Sequence, residues 1–364
     1  MRVFCFVLLI LLLTHPVNAK TAEDWLKTGI EFFKQGKYED AIDAYNKAIK
    51  LNPNFAVAYV GRGLAYYYLG QYNKAIQDYN KAIELDSNLA EAYNNRGLAY
   101  AKLEQYDKAI RDYNKAIGLD PNFTLAYYNR GVAYAKLGQY DKSIQDFTKA
   151  IELDPNYADA YYNRGIAYYN LGQFNKAIQD YNKTVELNSN YIDAYNNRGN
   201  AYYNLGQYDK AIQDFTKAIK VDPNDATAYY NRGHAYADLG QYDKAIQDYN
   251  KAIELDPNYV YAYYNRGNAY YYLGQYNKAI QDCTKAIELD PNFTLAYVGR
   301  GLVYLGLEQY DKAIQDFTKA IELDPNYALA YYNRAVAYYQ IGEYDKAIQD
   351  YNKAVELDPS LGSD

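Results

Sequence analysis

A spacing of 34 residues governs this chain. The segment AYYNRGIAYYNLGQFNKAIQDYNKTVELNSNY starts at Ala160, and the same unit, AYYNRGNAYYYLGQYNKAIQDCTKAIELDPNF, starts at Ala262, three periods on. Ten repeats tile the chain without insertion: 22–55, 56–89, 90–123, 124–157, 158–191, 192–225, 226–259, 260–293, 294–327 and 328–361, with 362–364 as a tail. A fixed period of this length means that each repeat is one supersecondary unit and that the repeats stack on one another. The same copying explains a composition of 50 Tyr with one Trp and one Met in 364 residues, which an ordinary mixed core would not give.

Numbering the places of a repeat from 1 to 34, bulky or apolar residues fall at 4, 11 and 12, as in Tyr93, Tyr100 and Ala101, with Gly97 at place 8. That is helical spacing. A Gly at place 15, such as Gly138, Gly172 or Gly206, interrupts the pattern. It restarts at places 17, 20, 21, 24, 27 and 28, as in Tyr140, Ser143, Ile144, Phe147, Ala150 and Ile151. This is a second amphipathic helix of the same period. Asp154-Pro155-Asn156 then closes the repeat, because Pro lacks the amide a continuing helix needs and Asn favours turns. Two such helices are too short to stand alone, so stability must come from stacking. Gly at place 8 (Ala335 in the last repeat) and Ala at places 20 and 27 mark close backbone approach. Tyrosines at places 4, 11, 17 and 24 are expected in the core.

Aromatic at 4, Gly at 8, aromatic at 11, Ala at 20, aromatic at 24, Ala at 27 and Pro at 32 resemble the tetratricopeptide repeat. Trp25-Leu26-Lys27-Thr28-Gly29 is similar to its opening, and Pro53, Pro121, Pro155, Pro223, Pro257, Pro291, Pro325 and Pro359 to its terminal proline; Ser87 and Ser189 replace two. The resemblance covers 20–361. It implies an all-α fold, a right-handed α-solenoid superhelix of helix-turn-helix repeats whose first helices line the concave surface. It also implies a non-enzymatic scaffold that binds protein or peptide partners.

One departure stands out. Where the family has an aliphatic residue at place 7, nine repeats here carry Arg, including Arg62, Arg130, Arg164 and Arg198, and the same nine carry Asp at place 23, including Asp78, Asp146, Asp180 and Asp214. The first repeat lacks both, having Thr28 and Ala44. This joint exception favours a structural salt bridge inside each repeat: Arg130 with Asp146, Arg164 with Asp180, Arg198 with Asp214. An Arg ladder for ligands is the alternative.

Residues 1–19 read as a cleaved secretory signal peptide: Arg2, an apolar run over 3–13, breakers at Thr14, His15 and Pro16, and small residues before Lys20. Export to the periplasm or the outside, with no membrane insertion after cleavage, is the expectation. Of two Cys and two His, only Cys283 and His234 then remain, so no intrachain disulfide forms. One His and one Cys give no metal-ligand spacing and no nucleophile–base pair. The carboxylates recur with the repeat, as helix surface and caps do. No cofactor is expected. A net charge of −7 with signs interspersed offers no basic face, which excludes nucleic acid. Three sequons, at Asn122, Asn182 and Asn292, matter only in a glycosylating host.

Binding is the better-supported chemistry. The resemblance places positions 2, 5, 6, 9, 12 and 13 in the groove. Place 6 is Asn95, Asn129, Asn163, Asn197, Asn231, Asn265 and Asn333 in seven repeats. This resembles the asparagine ladder in the repeat domain of O-linked N-acetylglucosamine transferases, where amides hold an extended peptide backbone; their catalytic domain has no counterpart here. An amide offers donor and acceptor together, as a peptide group requires. Simple duplication of a tolerated polar residue is the other reading. Asn200, His234 and Asn268 break the repetition at place 9, and Tyr128, Tyr162, Tyr230 and Tyr264 would wall the groove at place 5. Aromatic hydroxyls suit peptides and also sugar rings, so a cell-envelope polysaccharide binder or export-associated scaffold stays open beside the peptide reading, as does a purely structural spacer. Lys or Arg at places 2, 5 and 6, which the family's carboxylate clamp needs, are largely missing, which argues against chaperone tails. The array ends on its second helix, and homo-oligomerisation through this uncapped flank is a further expectation.

Overall fold

The computed structural model describes residues 20–362. The signal peptide read at 1–19 and the end of the tail lie outside the described residues. These form two compact blocks that meet in sequence at Gly172 and Gln173. The first holds α1 (Ala22–Lys34), α2 (Tyr38–Leu51), α3 (Ala56–Tyr68), α4 (Tyr72–Leu85), α5 (Ala90–Lys102), α6 (Tyr106–Leu119), α7 (Thr124–Lys136), α8 (Tyr140–Leu153) and α9 (Ala158–Asn170). The second holds α10 (Phe174–Leu187), α11 (Ile192–Asn204), α12 (Tyr208–Val221), α13 (Ala226–Asp238), α14 (Tyr242–Leu255), α15 (Val260–Tyr272), α16 (Tyr276–Leu289), α17 (Thr294–Gly306), α18 (Tyr310–Leu323), α19 (Ala328–Gln340), α20 (Tyr344–Leu357) and a 3-10 turn at Pro359–Gly362. No strand occurs among the described residues. The fold is an all-α solenoid.

Within a block, each odd helix packs on the even helix that follows it and on the even helix before it. Odd helices also touch the next odd helix, as α1 touches α3 and α15 touches α17, whereas among the described residues even helices have no comparable contact with one another. Each block therefore curves, with its odd helices on the inner side.

In most repeats one ring at place 24 fills the core, Cys283 taking that place in the eighth. Tyr79, Tyr113, Phe147, Phe215, Tyr249 and Phe317, all at place 24, are at most 1% exposed. Each lies over the Gly at place 8 of its own repeat: a Cβ on Gly131 would stand 2.8 Å from Phe147 Cε1, and one on Gly97 2.6 Å from Tyr113 Cε1. Alanines such as Ala75 and Ala82 close the remaining space. The close helix approach that Gly and Ala create leaves room for no second large ring. The tyrosines at places 4, 11 and 17, expected in the core, accordingly sit mostly half-buried, as Tyr59, Tyr66 and Tyr72 do. Cations cover them instead: the Arg62 guanidinium lies 5.4 Å from the Tyr59 ring centroid and Lys74 Nζ 5.3 Å from that of Tyr66, an attraction to the ring face.

The turns follow from local hydrogen bonding. The Asp of Asp-Pro-Asn does not cap a helix; Asp154 Oδ1 accepts from the backbone amide of Asn156 at 3.0 Å, closing an Asx turn. Only Thr21 and Asp225 cap a described helix with their own side chains. Between the two helices of a repeat the chain passes through the left-handed region, at φ 71° in Gly138, and at φ 57° and 60° where Glu104 and Glu308 take the Gly place.

The last repeat differs. On α20, Tyr344, Ile348 and Tyr351 are 56%, 59% and 38% exposed, while Ile246 and Tyr249, the α14 counterparts of the latter two, are 9% and 0% exposed. A cleft of about 330 Å³, lined by Tyr332, Val336, Tyr339 and Ile348 among others, opens on this flank.

Candidate binding face

Place 7 is a junction. Arg96 Nε and Nη2 donate to Asp112 Oδ2 and Oδ1 at 2.7 and 2.6 Å, the forked geometry of a guanidinium on a carboxylate. Arg130 with Asp146 and Arg198 with Asp214 repeat it, with Nη2–Oδ1 at 2.6 and 2.7 Å. The third nitrogen reaches back one repeat: Arg96 Nη1 donates to Asn80 Oδ1, and Arg198 Nη1 to Asn182 Oδ1, both at 2.7 Å. Arg164 makes the same bond to Thr148 Oγ1 at 3.0 Å, and Asp180 is buried on α10. The hydrogen bond to Asp78 holds the Arg62 guanidinium even further above its usual range. Such an Arg is engaged on every side by the fold. The backward bond has a signal in the sequence, since place 25 is Asn or Thr in all ten repeats.

The place 6 asparagines lie at the joints between odd helices. Asn163 Nδ2 donates to the Tyr128 hydroxyl at 3.1 Å and to its own helix at Asp159 O. Asn265 Nδ2 donates to the Tyr230 hydroxyl at 2.8 Å. Asn129 Nδ2 donates to Asn94 Oδ1, Asn94 to Asn95, and Asn333 Nδ2 to Leu329 O. Asn197 and Asn231 are half-buried on α11 and α13. An open ladder of amides was the expectation; here the amide nitrogens of Asn129, Asn163 and Asn265 already bridge successive repeats, and at Asn163 both amide hydrogens are engaged. The signal is a spacing of 35 residues between a place 5 hydroxyl or amide and the next place 6 amide.

Tyr128 and Tyr230 are part of the joints rather than a simple wall. Their rings lie 4.9 Å from Tyr157 and Tyr259 respectively, and burial pushes the Tyr128 phenol up to about 12. Tyr264 meets Phe293 edge-on at 5.4 Å, and Tyr162 is half-buried on α9. What these residues present inward is a row of hydroxyls and amides. More exposed rings are those of Tyr68, Tyr261 and Tyr272, at 56%, 53% and 65%, with Tyr38 stacked on Tyr68 and Tyr242 on Tyr272.

Asn200, His234 and Asn268 occupy the same inner stripe of α11, α13 and α15, each half-buried. The His234 ring stacks on Tyr203 at 5.2 Å and on Tyr230 at 6.0 Å, both at 22°. Cys283 is packed in the core against Gly267 and Gly299; burial pushes its thiol up to about 12, which leaves no reactive thiolate at neutral pH. Among the described residues, no group of three or more His, Cys, Asp or Glu could hold a metal ion. Of the sequons, Asn122 and Asn292 are exposed in turns, whereas Asn182 accepts from Arg198 and Thr184 is fully buried.

The repeat geometry has a counterpart in known families. A model described as TPR repeat matches residues 29–70, 63–104, 133–172, 199–240 and 233–273. Models described as tetratricopeptide repeat match 90–123, 158–191 and 260–293, then 298–361, and 112–145 and 180–213. The chain belongs to the tetratricopeptide repeat family. Its solved relatives of this fold include PilW, described as a widely conserved type IV pilus biogenesis factor, at 20% identity and a TM-score of 0.52 over 56% of this chain and 94% of that one. A tetratricopeptide repeat protein from Parabacteroides merdae aligns at 22% identity and a TM-score of 0.50, over 65% and 93% of the two chains. YrrB, described as a TPR protein with an unusual peptide-binding site, aligns at 28% identity and a TM-score of 0.46, over 51% and 96%. No curated protein matches the chain. As a member of this family, the chain is a protein-interaction scaffold.

Proposed function

We propose that the chain holds extended segments of partner proteins along the inner face of its odd helices, with the Asn and Tyr side chains of successive joints as the contacts. The observation that carries this reading is the amide paired with a phenol at the joints, Asn163 with Tyr128 and Asn265 with Tyr230. A peptide group can exchange with such a pair at little net cost, since one hydrogen bond replaces another. Panning a random-peptide phage library on the chain tests it. The comparison is a variant with Asn163, Asn197, Asn231 and Asn265 changed to Leu, checked by circular dichroism. Peptides enriched by the parent and lost by the variant support the inner face; peptides kept by both place the site elsewhere.

Polysaccharide is the second ligand class, favoured by the exposed rings of Tyr68, Tyr261 and Tyr272. Retention of the chain on polysaccharide columns, lost when these become Ser, would select it over the first. Export follows the signal peptide reading and is tested by the N-terminal sequence of the secreted protein. Self-association is favoured by the α19–α20 flank. In sedimentation equilibrium the mass should rise with concentration and Ile348→Glu should abolish the rise; a constant monomer mass rejects it.

A further inference from the structure

Places 5, 9 and 13 of an odd helix lie one above another, because residues four apart share a helix face. In nine of the ten repeats the three residues of this stripe include no acid and no His, and in most an aliphatic side chain sits in the middle, as in Tyr128-Val132-Lys136. The stripes of α11, α13 and α15 are Asn196-Asn200-Asn204, Tyr230-His234-Asp238 and Tyr264-Asn268-Tyr272. They form a polar island on an inner face that is otherwise greasy at its centre. The stripe faces inward, because His234 on α13 stacks on Tyr203 of α11 and Tyr230 accepts from Asn265 of α15.

Asp238 is the only formally charged residue of these nine. At the same place α1, α5 and α7 carry Lys34, Lys102 and Lys136. Its carboxylate is exposed at the end of α13 and accepts from the Tyr203 hydroxyl. The Tyr203 ring is fixed in turn by its stacking on His234, which also stacks on Tyr230. A carboxylate is acceptor-only. With one phenol donating, its remaining lone pairs call for further donors, and a cationic donor is the strongest. The place 7 arginines of these helices do not supply it, since Arg198, Arg232 and Arg266 are forked onto Asp214, Asp248 and Asp282. At the end of the α15 stripe, Tyr272 offers a ring 65% exposed.

We infer that this island is a subsite for the side chain of an arginine or lysine in the bound segment, with Asp238 as its counter-charge, Tyr203 and His234 holding Asp238 in place, and the Asn200 and Asn268 amides flanking it. The inference rests on the inner-face reading above and adds a sequence requirement to it.

The same random-peptide phage library, panned in parallel on the full chain, on Asp238→Asn and on Asp238→Glu, tests it. The expected result is a consensus in which Arg or Lys is enriched about fivefold at one fixed position by the parent and by Asp238→Glu, the scale of an exposed ion pair. In Asp238→Asn that position returns to its library frequency while the rest of the consensus stays. A consensus with no basic position, or one whose basic position survives Asp238→Asn, overturns the subsite and leaves the inner-face reading standing. No consensus with the parent overturns both.

Discussion

Arg130 shows how much one side chain can do in this array. It is forked onto Asp146 on α8, which is 5% exposed, it donates to Asn114 of the preceding repeat, and it lies 5.5 Å from the Tyr127 ring centroid. Removing it leaves a largely buried carboxylate without its counter-charge. Arg130→Ala is therefore expected to cost about 3 kcal/mol, the scale for breaking a buried pair from one side. Urea unfolding measures it, and a loss below about 1 kcal/mol would return the Arg row to the surface. Glycines at place 8 give a sharper contrast. Ala in place of Gly131 gains about 1 kcal/mol of helix propensity, but its Cβ meets the buried Phe147 ring at 2.8 Å, and overpacking costs about 1–3 kcal/mol. At Gly267 the nearest atoms are Cys283 Sγ at 3.2 Å and Ala279 O and Asp282 Cβ at 3.3 Å, all farther than the nearest ring atom that Gly131 meets. Gly131→Ala should lower the unfolding midpoint and Gly267→Ala should hold or raise it; equal shifts would mean that the ring at place 24 does not set the helix approach. Ala335, the natural exception, lines one cleft with Tyr351, which is 38% exposed.

At the scale of the element, the helices and their pairing were legible because one period carries both signals, apolar spacing within a helix and small residues where two helices meet. The division of the tyrosines was not. Tyr59, Tyr66 and Tyr79 look alike in the sequence, yet only Tyr79 is fully buried, because the space over a Gly exists once per repeat. The candidate face was legible in its residue types and less so in its bonding: Asn163 and Tyr128 meet across 35 residues, a contact that no single-repeat pattern displays. The turn inside each repeat was readable from Gly at place 15, and its exceptions make a prediction. Glu104 and Glu308 hold φ 57° and 60° there, a region that costs a side chain about 1 kcal/mol or more. Glu308→Gly should stabilise α17 and α18 by about that amount, less the extra backbone freedom Gly has when unfolded. Thermal unfolding of Glu308→Gly beside Gly274→Glu, expected to shift in opposite directions, decides whether backbone strain controls this turn.

Among the described residues of both blocks, phenols are buried in the repeats beside the place 23 carboxylates. Burial raises the tyrosines at place 24 and in the joints: Tyr45, Tyr128 and Tyr259 to about 12 from an ordinary 10.0, and Tyr79, Tyr113 and Tyr249 further still. The unfolded chain gives up these protons near pH 10 while the folded chain keeps them, so above that pH the unfolded state binds fewer protons and stability falls as pH rises. Below pH 10 both states hold the protons and the contribution is intact. The array should therefore keep its helices up to about pH 10 and lose them over the following two units. Tyrosinate absorbance of the buried set should rise only as far-ultraviolet circular dichroism collapses. If every phenol titrated in one phase with the helices intact, the place 24 rings would have to be reachable by water, and the argument that each one seals its repeat over a Gly would fail with them.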